Sequence, residues 1–522
     1  MHPSLLTPAK IENYLAKGMW SRETMVDRYR QFARTVPDRL ACRDERDCYS
    51  WTELDKVTDR IAANLIELGL ERDSTALVQT ASSCLEVLIR VAFKKAGIIG
   101  AFTPLQWRRK ELDYVVERIA PSLIITDGAA VKTSDEVSCR VDIANGNRDG
   151  WIDWDNLLNV TDTKIPDDRP FAFDEVSLIT VSSGTSGIAK LCEWPEAAQV
   201  CMGRTIGERM GFRDDDTVGI FAPMSGAAGL LVWLVSATIP CTYAFPATYQ
   251  PDSLLDLAEK WQVTIGTTVP VILARLAQEE MGSRNLRLLR MLRVGTAATD
   301  IDAARGFERR TGCKVITASG AMECPGFGHA GPNEPIDMRL DGSVGLPLQG
   351  CQLRIDDESG APLPWGEIGQ LKVLAPFASS GYWNDPQGSA AVWRDDWYAT
   401  GDMGRLDDKG RLTLLGRIKE TINRSGHKIL PIEIETEIAK HPDVFACAVA
   451  GAPDREYGSV PWAFVQLQTG RKLDEASLTA SLRDSGMASY KIPVRFVEVA
   501  ELPRINGNKV DKQALLTMAT LQ

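Results

Sequence analysis

Apolar residues in the first four hundred positions follow two alternating rhythms. Leu88, Ile89, Ala92 and Phe93 recur at helical spacing from about Leu85 to Gly97, which predicts a helix with a glycine stop. The run 98–103 then reads as a buried strand. Leu112, Val115, Val116 and Ile119 repeat the helix, and 123–126 repeats the strand. Downstream come a strand over 263–269, a helix over 272–278 and a strand ending before Gly295. The next helix is capped by Thr299 or Asp300 and stopped by Gly312. Such alternation predicts an α/β fold with several largely parallel sheets.

The texture changes after Cys351. Short strands over 352–355 and 370–374, split by Gly and Pro turns, predict a β-rich subdomain at about 345–415. Beyond Gly416, a helix over 431–440, strands over 444–449 and 462–466, and a helix near 475–483 form an α+β unit. The expected organisation is a large N-terminal domain over 1–418 and a small C-terminal one over 419–522. No low-complexity linker marks the boundary, so motifs place it.

The length of 522 residues is too great for one small core. With 44% hydrophobic and 25% charged residues, the composition is that of an ordinary globular protein. A net charge of -11 lacks the cationic footprint of a nucleic-acid binder, so no nucleic-acid partner is expected. The longest apolar stretch, 229–240, is too short to cross a bilayer, and Lys10, Glu12 and Lys17 interrupt any leader pattern. A cytoplasmic protein without a membrane partner is expected. Eleven cysteines, an odd number with no CxxC pair, fit reduced and mostly buried thiols. Only four histidines are present, which makes zinc improbable; a metal would instead accompany a phosphate on oxygen ligands.

The strongest chemical signal is Ser182-Ser183-Gly184-Thr185-Ser186-Gly187-Ile188-Ala189-Lys190, directly after the apolar strand 176–181. Glycines allow a tight turn that aims backbone N–H groups at an anion, and hydroxyls add donors. The spacing is not that of a Walker A loop, and alone it fits a polar surface turn equally well. Downstream, Tyr398-Ala399-Thr400-Gly401-Asp402 sets a carboxylate after a turn, suited to ribose hydroxyls. Then come Gly416-Arg417-Ile418-Lys419-Glu420, Ile422-Asn423-Arg424-Ser425-Gly426, Pro431-Ile432-Glu433-Ile434-Glu435 and, near the end, Leu502-Pro503-Arg504-Ile505-Asn506-Gly507-Asn508-Lys509.

In this order the segments resemble the adenylate-forming superfamily of acyl-CoA synthetases, aryl-acid AMP ligases, nonribosomal adenylation domains and firefly luciferase. The resemblance covers about 51–515. Around Lys419 to Ile429, and at Arg108-Arg109-Lys110-Glu111-Leu112, it is closest to free-standing aryl-acid AMP ligases. It implies that Ser182 to Lys190 wraps the β- and γ-phosphates of ATP, with Thr185 in contact, and that Glu323 helps hold Mg2+. Gly295 and Thr296 match the loop beside adenine, as do Ser319, Gly320, Ala321 and Met322. Asp402 and Arg417 match ribose ligands. Lys509 matches the lysine bridging the attacking carboxylate and the α-phosphate. Lys419 matches the hinge of a mobile C-terminal lid, and Ser425 and Gly426 border the pantetheine tunnel.

Departures in three segments qualify the likeness. Ser319 stands where an aromatic residue usually stacks on adenine, and Met322 where Thr is common. Ala189 replaces a usual Pro. Ser225 and Gly226 stand where the family carries an aromatic residue and His or Asn. With Gly229 and Gly320 they would line a roomy apolar acyl pocket, unless the glycine and alanines merely permit tight helix packing. The expected function is an ATP-dependent acid–thiol ligase acting on a bulky, aromatic or cyclic carboxylic acid, with coenzyme A as acceptor. A carrier-protein phosphopantetheine, a half-reaction specialist and a nonenzymatic binding protein are the alternatives, and a homodimer is left open.

Overall fold

The computed structural model describes residues 5–127, 137–182, 189–505 and 509–520. The chain divides into two compact units: Met1–Leu353 with Val373–Tyr398, and Arg354–Lys372 with Ala399–Gln522.

Two mixed sheets organise the first unit. One runs in the order Ile152–Asp153, Cys139–Asp142, Leu123–Thr126, Thr75–Gln79, Ile99–Phe102, Val176–Ser182, Lys190–Pro195. Its pairs are parallel except the last, which is an antiparallel hairpin. The other runs Gly328–His329, Lys314–Ser319, Met291–Gly295, Ile265–Thr268, Thr217–Ile220, Thr242–Ala244, Leu40–Arg43, Cys48–Ser50. It is parallel in its interior and antiparallel at both ends. Parallel strands buried on both faces need continuous apolar runs, and Leu123–Thr126 is buried throughout. Each sheet has its own apolar core, around Leu77, Ile124 and Ile179 in one and Leu273, Leu292 and Phe307 in the other.

The periodic segments form the expected elements. The helix Cys84–Ala96 ends at Gly97, whose φ of 70° is the left-handed stop that glycine adopts without strain. Asp300, rather than Thr299, caps Ile301–Thr311 by accepting from the Ala303 N–H, and Gly312 ends it. The helix Cys84–Ala96 is buried almost all round yet carries Glu86, Arg90, Lys94 and Lys95. Charges survive there only with partners. Arg90 pairs with Glu86, Lys94 with Glu196, and Lys95 with Asp55 and Asp59.

The second unit is built on antiparallel ladders. Val444–Asp454 and Gly458–Leu467 form a long hairpin, extending well past the expected 444–449 and 462–466. Pro453, Gly458 and Pro461 lie within the ladder, which continues through Gly451–Pro461 and Asp454–Gly458. Gly458–Leu467 also pairs with Arg424 and, in parallel, with Arg495–Glu498. Ile434, Ile438, Val449 and Val465 pack beneath this sheet. All eleven thiols are free, and Cys48 alone is exposed. Among the described residues no helix is long and apolar enough to cross a membrane.

Candidate active site

The first unit places Ser182, Gly295 and Ser319, predicted site residues, at the carboxyl ends of strands with parallel neighbours, where the open edge of an α/β sheet leaves a crevice. Val176–Ser182 delivers the Ser/Gly-rich segment and Lys190–Pro195 carries the chain back. Ser183, Gly184, Thr185, Ser186 and Gly187, with the side chain of Ser182, lie outside the described residues. Lys190, at the return, is placed. Its Nζ donates to the Tyr382 hydroxyl at 3.0 Å and lies 4.6 Å from the centre of that ring. Tyr382 in turn donates to Glu323 Oε1 at 3.0 Å. Glu323 is 6% exposed and Tyr382 5%. Burial pushes the Tyr382 phenol well above its ordinary range and the Glu323 charge adds to this, so the hydroxyl stays protonated and donates.

The backbone holds these three side chains in place. Ser379 N–H donates to the Glu323 carbonyl at 2.8 Å, and Trp194 Nε1 donates to the Met322 carbonyl at 3.1 Å. Cys192 and Tyr382 form an isolated antiparallel bridge. The strand hairpin, the 319–323 loop and the 379–383 segment are thus stitched together. Tyr382 is not among the residues that the sequence motifs single out. Its only signal was an aromatic pair after Ser379-Ser380-Gly381, which resembles any loop.

Gly295 and Ser319 end neighbouring parallel strands, with Gly295 opposite Ala318. A Cβ on Gly295 would sit 2.8 Å from the Ala318 carbonyl oxygen, so that strand end admits only glycine. Thr296 follows at φ 80°, a left-handed conformation that a β-branched residue holds at a cost of about 1–3 kcal/mol. Strain of this kind collects at ligand sites. Gly320 is equally constrained, since a Cβ there would meet Gly326 N and Pro325 Cα at 2.7 Å. Ser319 and Ala321 are partly exposed, and Met322 is buried.

The segment following Thr217–Ile220 separates two glycines that the sequence had grouped together. A Cβ on Gly226 would meet nothing closer than 3.6 Å, and Gly226 is exposed beside half-buried Ser225. Its lack of a side chain leaves open volume. Gly229 differs from the pocket-lining role expected of it. It is buried, and a Cβ would meet the Ala222 carbonyl oxygen at 2.4 Å and Pro223 C at 2.7 Å. Helix packing explains Gly229 and does not explain Gly226.

In the second unit, Asp402 lies opposite Arg417 on an antiparallel ladder. Arg417 Nε reaches Asp402 Oδ1 at 2.7 Å, and Nη1 donates to the Thr400 carbonyl at 3.0 Å. Thr400 Oγ1 accepts from the Asp402 N–H at 3.0 Å. The two predicted ribose ligands therefore orient one another. Ser425 and Gly426 form the tip between Ile422–Arg424 and His427–Ile429, at φ 50° and 86°. Two successive positive values mark the tight hairpin turn whose twist suits its strands. Asn423 Oδ1 accepts from the Gly426 N–H at 3.1 Å. Lys419 is exposed in the 3-10 turn Ile418–Glu420. The backbone of Lys509 pairs with Ile505, and its side chain lies outside the described residues.

Residues 29–383 match AMP-binding enzymes, and residues 433–509 match the AMP-binding enzyme C-terminal domain. The chain is 29% identical to indoleacetate–CoA ligase of Aromatoleum aromaticum, over 91% of this chain and 94% of that protein. It is 27% identical to 2,3-dihydroxybenzoate-AMP ligase of Bacillus subtilis, over 97% and 95%. The crystal structure of ATP-bound MatB from Rhodopseudomonas palustris superposes with a TM-score of 0.85 at 26% identity, covering 95% of this chain and 99% of that one. The protein belongs to the AMP-binding, adenylate-forming enzymes.

Proposed function

We propose that the protein activates an organic carboxylic acid with ATP and transfers the acyl group to the thiol of coenzyme A. The Lys190–Tyr382–Glu323 chain carries this reading, because it lies beside a strand hairpin whose connecting sequence is a hydroxyl-and-glycine phosphate cradle. A cation offsets polyphosphate charge, and a buried carboxylate takes the accompanying metal. Among the described residues no group of three or more His, Cys, Asp or Glu could hold a metal ion. Glu323 nevertheless fits magnesium, which takes one or two carboxylates together with phosphate oxygens and water. Bound there, the ion would neutralise charge on the departing pyrophosphate.

In the first half-reaction a carboxylate oxygen attacks the α-phosphorus. The bond to the bridging β-phosphate oxygen breaks, and pyrophosphate leaves with the electron pair. Lys509 offsets the repulsion between two anions where charge builds. Asp402, held by Arg417, accepts hydrogen bonds from the ribose hydroxyls. In the second half-reaction the thiolate attacks the acyl carbon, the carbon–oxygen bond to AMP breaks, and a thioester forms. Ser425 and Gly426 border the path of the thiol, and Lys419 is the hinge between half-reactions.

The open space beside Gly226, next to the small side chain of Ser225, favours a bulky, aromatic or cyclic acid. Relatives named for indoleacetate and 2,3-dihydroxybenzoate support an aromatic one. Likeness to the latter ligase also supports a second reading, in which a carrier-protein pantetheine accepts the acyl group. Pyrophosphate exchange screened across aryl, alicyclic, fatty and terpenoid acids tests the first step, and mass detection of the thioester on either acceptor tests the second. Folded protein that exchanges with no acid class would sink the proposal.

A further inference from the structure

The segment from Phe221 to Gly229 hangs from four buried side chains contributed by other elements. Thr268 Oγ1 donates to the Phe221 carbonyl at 3.1 Å, and Thr267 Oγ1 donates to the Ala228 carbonyl at 2.9 Å. Between them, both backbone groups of Met224 are taken. Its N–H donates to Ser82 Oγ at 2.7 Å, and its carbonyl accepts from Arg90 Nη2 at 3.1 Å. Met224 immediately precedes Ser225 and Gly226, and a Cβ on Gly226 would meet nothing closer than 3.6 Å.

Arg90 is itself locked. Its Nε and Nη2 both reach Glu86 Oε1, at 2.9 and 2.6 Å, one helical turn away. The guanidinium lies 3.6 Å from the centre of the Phe102 ring and 5.5 Å from that of Trp233. Arg90 is 3% exposed and Glu86 2%. Burial works against the charge on each, raising the Glu86 carboxyl and lowering the guanidinium, and each offsets that effect on the other. A planar fork can bond a carboxylate and a carbonyl together while stacking on a ring, which a lysine ammonium cannot reproduce.

We infer that Arg90, oriented by Glu86 and joined by Ser82, is a positioning residue that sets the acid-binding segment at Met224–Ser225–Gly226 and thereby selects the carboxylic acid. This rests on the proposed acyl pocket and extends it to the helix Cys84–Ala96. The pair aligns the backbone of the pocket wall, so its effect falls on the acid and spares the nucleotide.

The test compares Arg90→Lys, Ser82→Ala and Lys95→Met with the unaltered enzyme, using whichever acid supports pyrophosphate exchange. Lys95 is as buried and as charged on the same helix, but it pairs with Asp55 and Asp59 away from this segment. Arg90→Lys should raise KM for the acid about tenfold or more with KM for ATP within about twofold, and it should alter the ranking among acids of different width. Ser82→Ala should give the same pattern more weakly. Lys95→Met should lower Tm without shifting that ranking. If Arg90→Lys misfolds, Ser82→Ala carries the comparison alone. Equal changes in both KM values, or a Lys95→Met ranking shift matching that of Arg90→Lys, would overturn the inference. Absence of exchange in the unaltered enzyme would count instead against the proposed function.

Discussion

The two units keep their functional groups in opposite physical settings. In the first, Glu323 and Tyr382 are buried, tied to each other and backed by backbone bonds from neighbouring elements. In the second, Arg417 retains 35% side-chain exposure, and Ser425–Gly426 and Lys419 sit on an exposed hairpin tip and turn. Parallel strands end together above a packed core, so groups placed there are fixed before any ligand arrives. Antiparallel ladders present turns whose geometry is local. The difference teaches that buried, mutually bonded groups are held by their neighbours, while groups on turns are held only locally; under the proposed function the first would hold a polyphosphate and the second would serve separate steps.

The sharpest way to break this contrast is Lys509→Ala. It should lower acid-dependent pyrophosphate exchange by about 10²–10³ while thioester formation from supplied acyl-AMP persists. Equal loss of both half-reactions would remove the division of labour. Next in size is Gly229→Ala, which forces a Cβ against the Ala222 and Pro223 backbone and should cost about 1–3 kcal/mol in denaturant unfolding. Gly226→Ala should stay within about 0.5 kcal/mol and act on KM for the acid. Identical stability of the two variants would refute the distinction drawn between them.

Tyr382→Phe removes one hydroxyl that both accepts from Lys190 and donates to Glu323. A net hydrogen bond is worth about 1 kcal/mol, so KM for ATP should rise roughly fivefold with little change for the acid. An unchanged KM for ATP would mean that the buried chain has no bearing on the nucleotide.

A pH-dependent contrast concerns Glu193, whose carboxyl is pushed up to about 7 by burial against the opposing pull of the Ser380 hydroxyl. Between about 4.5 and 7 the folded form keeps a proton that the unfolded form has lost, so stability falls as pH rises through that window. Glu193→Gln should match the parent near pH 5 and show a Tm a few degrees higher near pH 8. Parallel Tm curves across that range would contradict it.

Much of the fold was legible because its signals are local. Gly97 and Gly312 stop helices by adopting left-handed backbone, and Asp300 caps through its own side chain. Asp402 and Arg417 were legible for a different reason: a resemblance links them although fifteen positions part them, and the ladder then places them opposite each other. Gly226 and Gly229 show the limit. Both are glycines in one short segment, and only the atoms around each reveal that one leaves space and the other fills it. Tyr382 and Arg90 were illegible because their partners lie far away in sequence: Tyr382 reaches Lys190 and Glu323, and Arg90 reaches Met224.

The amino-acid sequence by itself determined the alternation of strands and helices, the adenylate-forming kinship, and which residue types are present to meet ATP. Those follow from periodicity, capping and motif order, which are written along the chain. Tertiary structure alone decided that Lys190 meets Glu323 through a tyrosine, and that Arg90, held by Glu86, bonds the Met224 carbonyl. Burial and long-range hydrogen bonding depend on which distant segments pack together, and no local pattern encodes that.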